Sequence, residues 1–289
     1  MILRLGDTPV DITDRCLVMG ILNRTPDSFY DQGEFWNFDA FLRLADQHIA
    51  NGADIVDVGG VKAGPGPEVT EQEELDRVLP AIEALARRFD TPISVDTWRA
   101  SVAKGAYELG AVIGNDISGF GDPDYLSAAA AAGATVIATH IRLKPRVADP
   151  EPVYDDVVRD VGAFLLERAQ WALDAGVAAD RIVIDAGLDL GKTWQQSLAL
   201  LRASDQLSSM GFPLLLSSSN KTFLGKLLDL EVGDRRDASH AATSLGVMLG
   251  CRIVRVHHVA GSRRVCDFLA ALHQERHGMG RAERGAPCS

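Results

Sequence analysis

Residues 92–118, PISVDTWRASVAKGAYELGAVIGNDIS, decide the fold class of this chain. Two short runs rich in Ile and Val, at 92–97 and 112–118, flank a stretch with helical spacing of apolar residues at 99–110. The runs show no clean alternation of apolar and polar residues, which is typical of parallel strands buried on both faces. The segment therefore predicts a strand–helix–strand unit of a parallel sheet.

The same pattern recurs along the whole chain. We predict strands at 17–23, 54–60, 92–97, 112–118, 135–142, 181–188, 213–220 and 253–259. Amphipathic stretches between the strands predict helices at 38–51, 70–89, 99–110 and 154–175, among others. Eight alternations in about 250 residues favour an α/β fold of the closed (β/α)8 type, the TIM barrel. The alternative is an open doubly wound sheet in two domains.

The two ends of the chain differ from this repeat. The first 16 residues alternate in polarity around Gly6 and Asp7, which predicts a short β-hairpin that covers the bottom of the barrel. Residues 278–289, GMGRAERGAPCS, have no periodic apolar face and predict a disordered tail. We therefore expect a single barrel domain at 1–277.

Composition limits the class of function. The chain has 289 residues, and 40 Asp and Glu against 29 Lys and Arg give a formal net charge of −11. This charge argues against a general affinity for nucleic acids or anionic membranes. The four cysteines have no C-x-x-C spacing and predict reduced thiols rather than disulfides or structural zinc. Because we recognise no leader and no bilayer-length apolar run, we expect a cytoplasmic protein.

Polar residues lie at or near the end of every predicted strand. In a TIM barrel, the active site is built where the strands meet the following loops, so these residues are candidates for binding and catalysis. They are Asn23, Asp57, Asp96, Asn115, Asp116, His140, Arg142, Asp185, Ser219, Asn220, Lys221, Arg255, His257 and His258. The structural alternative is internal pairing, for example of Asp96 or Asp185 with Lys221, because an unpaired buried charge is unfavourable.

The residue types indicate a kind of ligand. Carboxylates and an amide that face one pocket suit a planar heterocycle with several N–H donors, whereas Lys221, Arg255 and His257 suit a phosphate or pyrophosphate near the last two strands. His257 and His258 are neighbours in a predicted strand and would face opposite sides, which argues against a metal site of paired histidines. The sequence GKT at 191–193 is like the end of a P-loop, but the glycine that should precede it is missing, so we expect no nucleotide there.

Several segments together resemble the dihydropteroate synthase family, in the right order over almost the whole barrel. They are MGILNRTPDSFYDQGEF at 19–35, DVGG at 57–60, SVDT at 94–97, GNDISG at 114–119, DAG at 185–187, SSSNKTFLG at 217–225 and RVHHV at 255–259. The resemblance implies a TIM barrel, usually a homodimer, that acts in folate biosynthesis. Such an enzyme joins 6-hydroxymethyl-7,8-dihydropterin pyrophosphate to 4-aminobenzoate and releases pyrophosphate, with the help of Mg²⁺.

The resemblance also implies which residues hold the first substrate. By position, the pterin would be held by Asp96, Asn115, Asp185 and Lys221. The pyrophosphate would be held by Asn23, Arg255 and His257, and Asn23 would also be a ligand of the Mg²⁺.

The second substrate and the catalytic step involve a further group of residues. The resemblance implies that Ser219 and Thr222 lie on the aminobenzoate side. We expect the aminobenzoate carboxylate at the start of the helix near Thr222, because free backbone N–H groups there favour an anion. Asp27 and Lys221 would be catalytic, and Asp27, in the loop after the first barrel strand, would help to close the site.

Loop 2, which follows the second barrel strand, departs from the family. The family commonly has Gly-Gly-Glu-Ser-Thr-Arg-Pro-Gly, whereas this chain has GGVKAGPG at 59–66. The Thr and Arg that the family brings over the reaction centre are Ala63 and Gly64 here. Loss of one preorganised charge-stabilising group commonly costs about 3 kcal/mol, or about a hundredfold in rate. Lys62 could replace the charge, but not the planar fork of Arg.

These departures lead to three hypotheses. We favour a divergent dihydropteroate synthase paralogue with very weak or no synthase activity that keeps the binding of pterin-site or sulfa-like ligands. The second hypothesis is a working synthase with a rearranged loop 2, in which Lys62 takes over. The third is an enzyme that acts on another pterin or on another phosphorylated heterocycle, because the fold alone does not fix the function.

Overall fold

A short hairpin precedes the barrel. The computed structural model describes residues 1–24 and 38–282, with the backbone alone for 275–282. Strands β1 (Ile2–Leu5) and β2 (Thr8–Asp11) pair in antiparallel fashion around Gly6, whose φ of 60° suits the turn. Leu3 and Leu5 pack against the lower ends of the barrel strands, so the hairpin covers the bottom of the barrel as predicted.

The described residues form a closed barrel of parallel strands in the order β10-β3-β4-β5-β6-β7-β8-β9. The strands are β3 (Leu17–Asn23), β4 (Ile55–Gly59), β5 (Ile93–Asp96), β6 (Ile113–Asp116), β7 (Thr135–Thr139), β8 (Ile182–Asp185), β9 (Leu214–Leu216) and β10 (Cys251–Val256). The predicted TIM barrel is confirmed, and the alternative of an open sheet is wrong.

Helices cover the outside of the barrel. They are α1 (Phe38–Ala50), α2 (Glu71–Arg88), α3 (Ala100–Glu108), α4 (Tyr125–Ala132), α5 (Val157–Asp174), α6 (Trp194–Arg202), α7 (Ser204–Ser208), α8 (Thr222–Leu228), α9 (Arg236–Met248) and α10 (Val259–Ala282). Their buried apolar faces pack on the strands, as Phe41 and Ile82 do against Val58. Among the described helices, none is both long and apolar enough to cross a membrane.

Several strands are shorter than the sequence predicts. The strands predicted at 135–142, 181–188, 213–220 and 253–259 end at Thr139, Asp185, Leu216 and Val256. His257 and His258 therefore follow β10, and the argument that they face opposite sides of a strand is wrong. Helix α10 includes residues 278–282 of the predicted tail, and the remainder of that tail lies outside the described residues.

Candidate active site at the carboxyl end of the barrel

The register of the strands places polar side chains side by side at the mouth of the barrel. Asn23 lies opposite Gly59, Gly59 opposite Asp96, and Asp96 opposite Asn115. Residues that face each other across parallel strands project to the same side of the sheet. A Cβ at Gly59 would lie 3.5 Å from Asp96 Oδ2 and 3.6 Å from Asn23 Oδ1. Both oxygen atoms therefore lie beside Gly59, within ordinary contact distance of where its side chain would be.

A cavity of about 170 Å³ opens above this row. Six of the residues that the sequence predicts for the site line it, namely Asn23, Asp96, Asn115, Asp185, Lys221 and Arg255. Loop 2 contributes Val61, Lys62 and Ala63 to the lining, and Leu190 also lines the cavity. The barrel therefore brings together side chains that are distant in sequence.

Arg255 joins two carboxylates at the floor of this cavity. Its Nε donates to Asp57 Oδ2 at 2.6 Å, and its Nη2 donates to Asp96 Oδ2 at 2.6 Å. Asn115 Nδ2 donates to Asp57 Oδ2 at 3.3 Å, and Asp57 is completely buried. Burial raises the pKa of Asp96 to about 7, although the Arg255 guanidinium opposes this shift. Internal pairing is thus present, but its cation is Arg255 rather than Lys221.

Asp185 and Lys221 also line the cavity, and among the described residues they form no ion pair with each other. Asp185 Oδ1 accepts a hydrogen bond from Gly187 N at 2.8 Å, and Lys221 Nζ donates to Leu188 O at 3.0 Å. Burial raises the pKa of Asp185 and lowers the pKa of Lys221. Both side chains are therefore oriented by the loop that follows β8.

Lys192 is a buried cation that sequence reasoning did not assign to the site. Its Nζ donates to Gly187 O at 2.9 Å and to Leu190 O at 3.0 Å, and lies 2.8 Å from His140 Nδ1. Burial lowers the pKa of Lys192 to about 7. The GKT sequence was the available signal, but here Lys192 fastens the loop after β8, and Thr193 caps helix α6.

Asp189 binds the start of helix α8. Its Oδ2 accepts hydrogen bonds from Thr222 N at 2.6 Å and from Phe223 N at 3.3 Å. The expectation of free N–H groups near Thr222 is therefore wrong, because an internal carboxylate already accepts from them. Thr222 itself does not line the cavity above the barrel.

Four of the predicted residues line a neighbouring cavity of about 320 Å³, namely Ser219, Asn220, His257 and His258. Arg236 and His240 also line it. His257 N donates to Ser219 Oγ at 3.3 Å. Asp27 lies outside the described residues, so its predicted role stays a prediction.

Loop 2 is fastened by Arg146, which lies in the loop after β7. Arg146 N donates to Ala63 O at 3.0 Å, and its Nη1 donates to Lys62 O at 3.0 Å. Its Nη2 donates to Pro67 O. A Cβ added at Gly64 would meet no atom within 4 Å, so a larger side chain there has open space.

A TIM barrel with acidic, amide and basic side chains around a cavity at one end is the architecture of a ligand-binding enzyme class, and the comparison with known families identifies that class. The family model of the pterin binding enzymes matches residues 19–257, and the chain belongs to this family.

Named relatives make the class more specific. The chain is 40% identical over 261 residues to the dihydropteroate synthase of Bacillus subtilis, covering 90% of this chain and 89% of that protein. It is 42% identical over 273 residues to the inactive dihydropteroate synthase 2 of Mycobacterium leprae, covering 91% and 92%. The Yersinia pestis dihydropteroate synthase, solved with a sulfonamide drug complex, superimposes with a TM-score of 0.89 at 37% identity, covering 95% of this chain and 100% of that one. The protein is therefore dihydropteroate synthase-like.

Proposed function

We propose that this protein binds a pterin at the mouth of its barrel and has very weak or no dihydropteroate synthase activity. The observation that carries the proposal is the contrast between two groups of residues that line one cavity. The first group, called the polar wall here, has the carboxylates and the amide of Asp96, Asn115 and Asp185. The second comes from loop 2 and has Ala63, followed in sequence by Gly64, where the family resemblance implies a hydroxyl and a guanidinium.

The polar wall suits a pterin because of its pattern of hydrogen-bonding groups. Carboxylates accept strongly from the N–H groups of a heterocycle, and the Asn115 amide can both accept and donate. The Lys221 ammonium donates to a ring oxygen or nitrogen. Because Arg255 holds Asp57 and Asp96 in place, the acceptors are oriented before the ligand binds. Sulfa-like ligands would bind in the same cavity, in the part that would take the second substrate.

The part of the site that would bind the pyrophosphate offers weaker interactions than the part that would bind the pterin. We propose Asn23, Arg255 and His257 as its residues. Arg255 already uses its Nε and Nη2 on two carboxylates, which reduces its capacity to stabilise an anionic leaving group. The Asn23 amide oxygen next to Gly59 fits one ligand position of Mg²⁺, an ion that usually keeps several waters and substrate oxygens. When bound, Mg²⁺ would neutralise part of the pyrophosphate charge.

The reaction of the family needs positioning and charge neutralisation more than proton transfer. The amine nitrogen of aminobenzoate forms a bond to the pterin methylene carbon while the bond from that carbon to the pyrophosphate oxygen breaks, and the nitrogen then releases one proton to water. Each missing group over the leaving oxygen is expected to cost about 3 kcal/mol. Lys62, which lines the cavity, is the observation that favours the second candidate, a working synthase with a rebuilt loop 2.

Turnover and binding together test the proposal. Purified protein would be assayed with the dihydropterin pyrophosphate, labelled 4-aminobenzoate and Mg²⁺, beside the Bacillus subtilis enzyme. We expect turnover more than about a thousandfold below that control, with pterin binding detected by calorimetry. Turnover within about tenfold of the control would instead support the working synthase. Absence of pterin binding would contradict the proposal itself.

A loop-2 variant separates the two candidates further. The double substitution Ala63→Thr and Gly64→Arg should raise turnover by at least about tenfold if loop 2 limits the rate. At Gly64 an added Cβ meets open space. The matched control is Gly64→Ala, which adds a side chain without the guanidinium and should leave turnover low.

We also propose a homodimer. Leu245 and Met248 on α9 and Phe268 and Leu272 on α10 expose large apolar side chains, on two helices that pack together. Sedimentation equilibrium should give a dimer that Phe268→Asp dissociates. Val153→Asp, at another exposed apolar residue, should leave the dimer intact.

A further inference from the structure

Asp189 places a fixed carboxylate beside the cavity, at the start of α8. It lies between Leu188, whose carbonyl accepts from Lys221, and Leu190, which lines the cavity. We propose that Asp189 is a specificity-determining residue, whose side chain makes this pocket reject amines that carry a carboxylate and accept neutral ones. The inference rests on the proposed function, because it names the class of the second ligand.

The side chain of Asp189 is fixed at both of its oxygens. Oδ2 accepts from Thr222 N at 2.6 Å and from Phe223 N at 3.3 Å, while Oδ1 accepts from Ser197 Oγ at 3.2 Å. Its own N–H donates to Ser197 Oγ at 3.0 Å. The backbone N–H groups that begin α8 are therefore satisfied by the protein itself and are not available to a ligand.

The backbone of Asp189 supports the same interpretation. Its φ is 66°, in the left-handed region that residues with a Cβ adopt at a cost. Such a conformation persists where surrounding contacts compensate for it, and these outliers cluster near functional sites. Here the hydrogen bonds to the start of α8 and to Ser197 hold the residue in this conformation.

The negative charge of Asp189 also stabilises the positive charge of Lys221. Burial lowers the pKa of Lys221, and Asp189 is the strongest of the charges that oppose this shift. A ligand carboxylate that approached Lys221 would meet a fixed like charge and would find the adjacent N–H donors occupied. A neutral group of the same shape would meet neither obstacle.

Matched ligands test this inference directly. 4-Aminobenzoate and 4-aminobenzamide have nearly the same shape and differ in charge, and their dissociation constants would be measured by calorimetry, with and without a saturating pterin. We expect the wild-type protein to bind the benzamide at least about tenfold more tightly than the benzoate, since placing a ligand carboxylate beside the like charge of Asp189 is unfavourable by at least this much. Asp189→Gly relieves the positive φ and should abolish the preference. Asp189→Asn keeps the shape and should reduce it.

The outcomes separate this inference from the proposed function. A wild-type preference for the benzoate, an unchanged preference in both variants, or no binding of either compound to any of the proteins would overturn the role of Asp189. Thermal unfolding checks that the variants are folded. If Asp189→Gly does not fold, Asp189→Asn carries the test. Pterin binding is titrated separately, and its failure would refute the proposed function whatever the ratio of the two compounds.

Discussion

Replacing Lys192 by Met should change how the stability of this protein depends on pH. Lys192 is only 8% exposed, and its ammonium contacts three carbonyl oxygens and the His140 ring. Met has a similar length and flexibility, but it has no titratable group. The substitution therefore removes a single proton-binding site while it keeps much of the buried volume.

The magnitude follows from the shifted pKa of Lys192. Burial lowers the pKa from 10.5 to about 7. Between these values the unfolded chain holds a proton that the folded protein has released, so the stability of the wild-type protein should rise with pH. The slope for one proton is about 1.4 kcal/mol per pH unit, and the whole window corresponds to about 5 kcal/mol. Below about pH 7 the contribution of this lysine should be flat.

Urea unfolding followed by circular dichroism would measure the effect at about pH 7.5, 8.5 and 9.5. The free energy of unfolding of the wild-type protein, minus that of Lys192→Met, should increase by about 1.4 kcal/mol for each pH unit. Groups that do not interact with Lys192 titrate alike in both proteins and cancel in the difference. Lys226→Met, at an exposed position of α8, is the matched control and should show no such slope. A difference between wild type and Lys192→Met that stays constant with pH would refute the reasoning.

Three further substitutions test the site. Gly187→Ala should lower the free energy of unfolding by at least about 3 kcal/mol in urea, because φ is 63° and the new Cβ would lie 2.0 Å from His140 O. Thr139→Val should leave the thermal midpoint unchanged or raise it, because the buried Thr139 hydroxyl has no hydrogen-bond partner among the described residues. Calorimetry should show wild-type pterin affinity rising with pH through about 7, as Asp96 ionises, and no such rise in Asp96→Asn.

The sequence predicts the barrel and the row at its mouth because both follow from local patterns. Parallel strands of similar length bring their carboxyl ends to one edge, so Asp96 and Asn115 become neighbours once the strands are recognised. The same reasoning extends β8 too far, to residue 188 instead of Asp185, since Leu188 looks like a continuation of the strand. The chain turns instead at Gly187, where φ is positive.

The pairing partners were not predictable in the same way. Asp57 is 198 residues from Arg255 in sequence, and nothing local to either residue indicates that the guanidinium reaches down to it. The contact of Asp189 with Thr222 likewise depends on how two loops meet above the barrel. Such contacts are decided by tertiary packing rather than by periodicity or motif.

The attachment of loop 2 to Arg146 has a consequence for the rate at which ligands exchange. If a loop becomes ordered only when a ligand binds, its loss of conformational entropy makes the free energy of binding less favourable. Here three hydrogen bonds from Arg146 hold the backbone carbonyls of Lys62, Ala63 and Pro67. Movement of loop 2 away from the mouth of the barrel must break these hydrogen bonds. Loop 2 therefore stays in place as part of the cavity wall, and ligands enter and leave through the remaining edges of the barrel mouth.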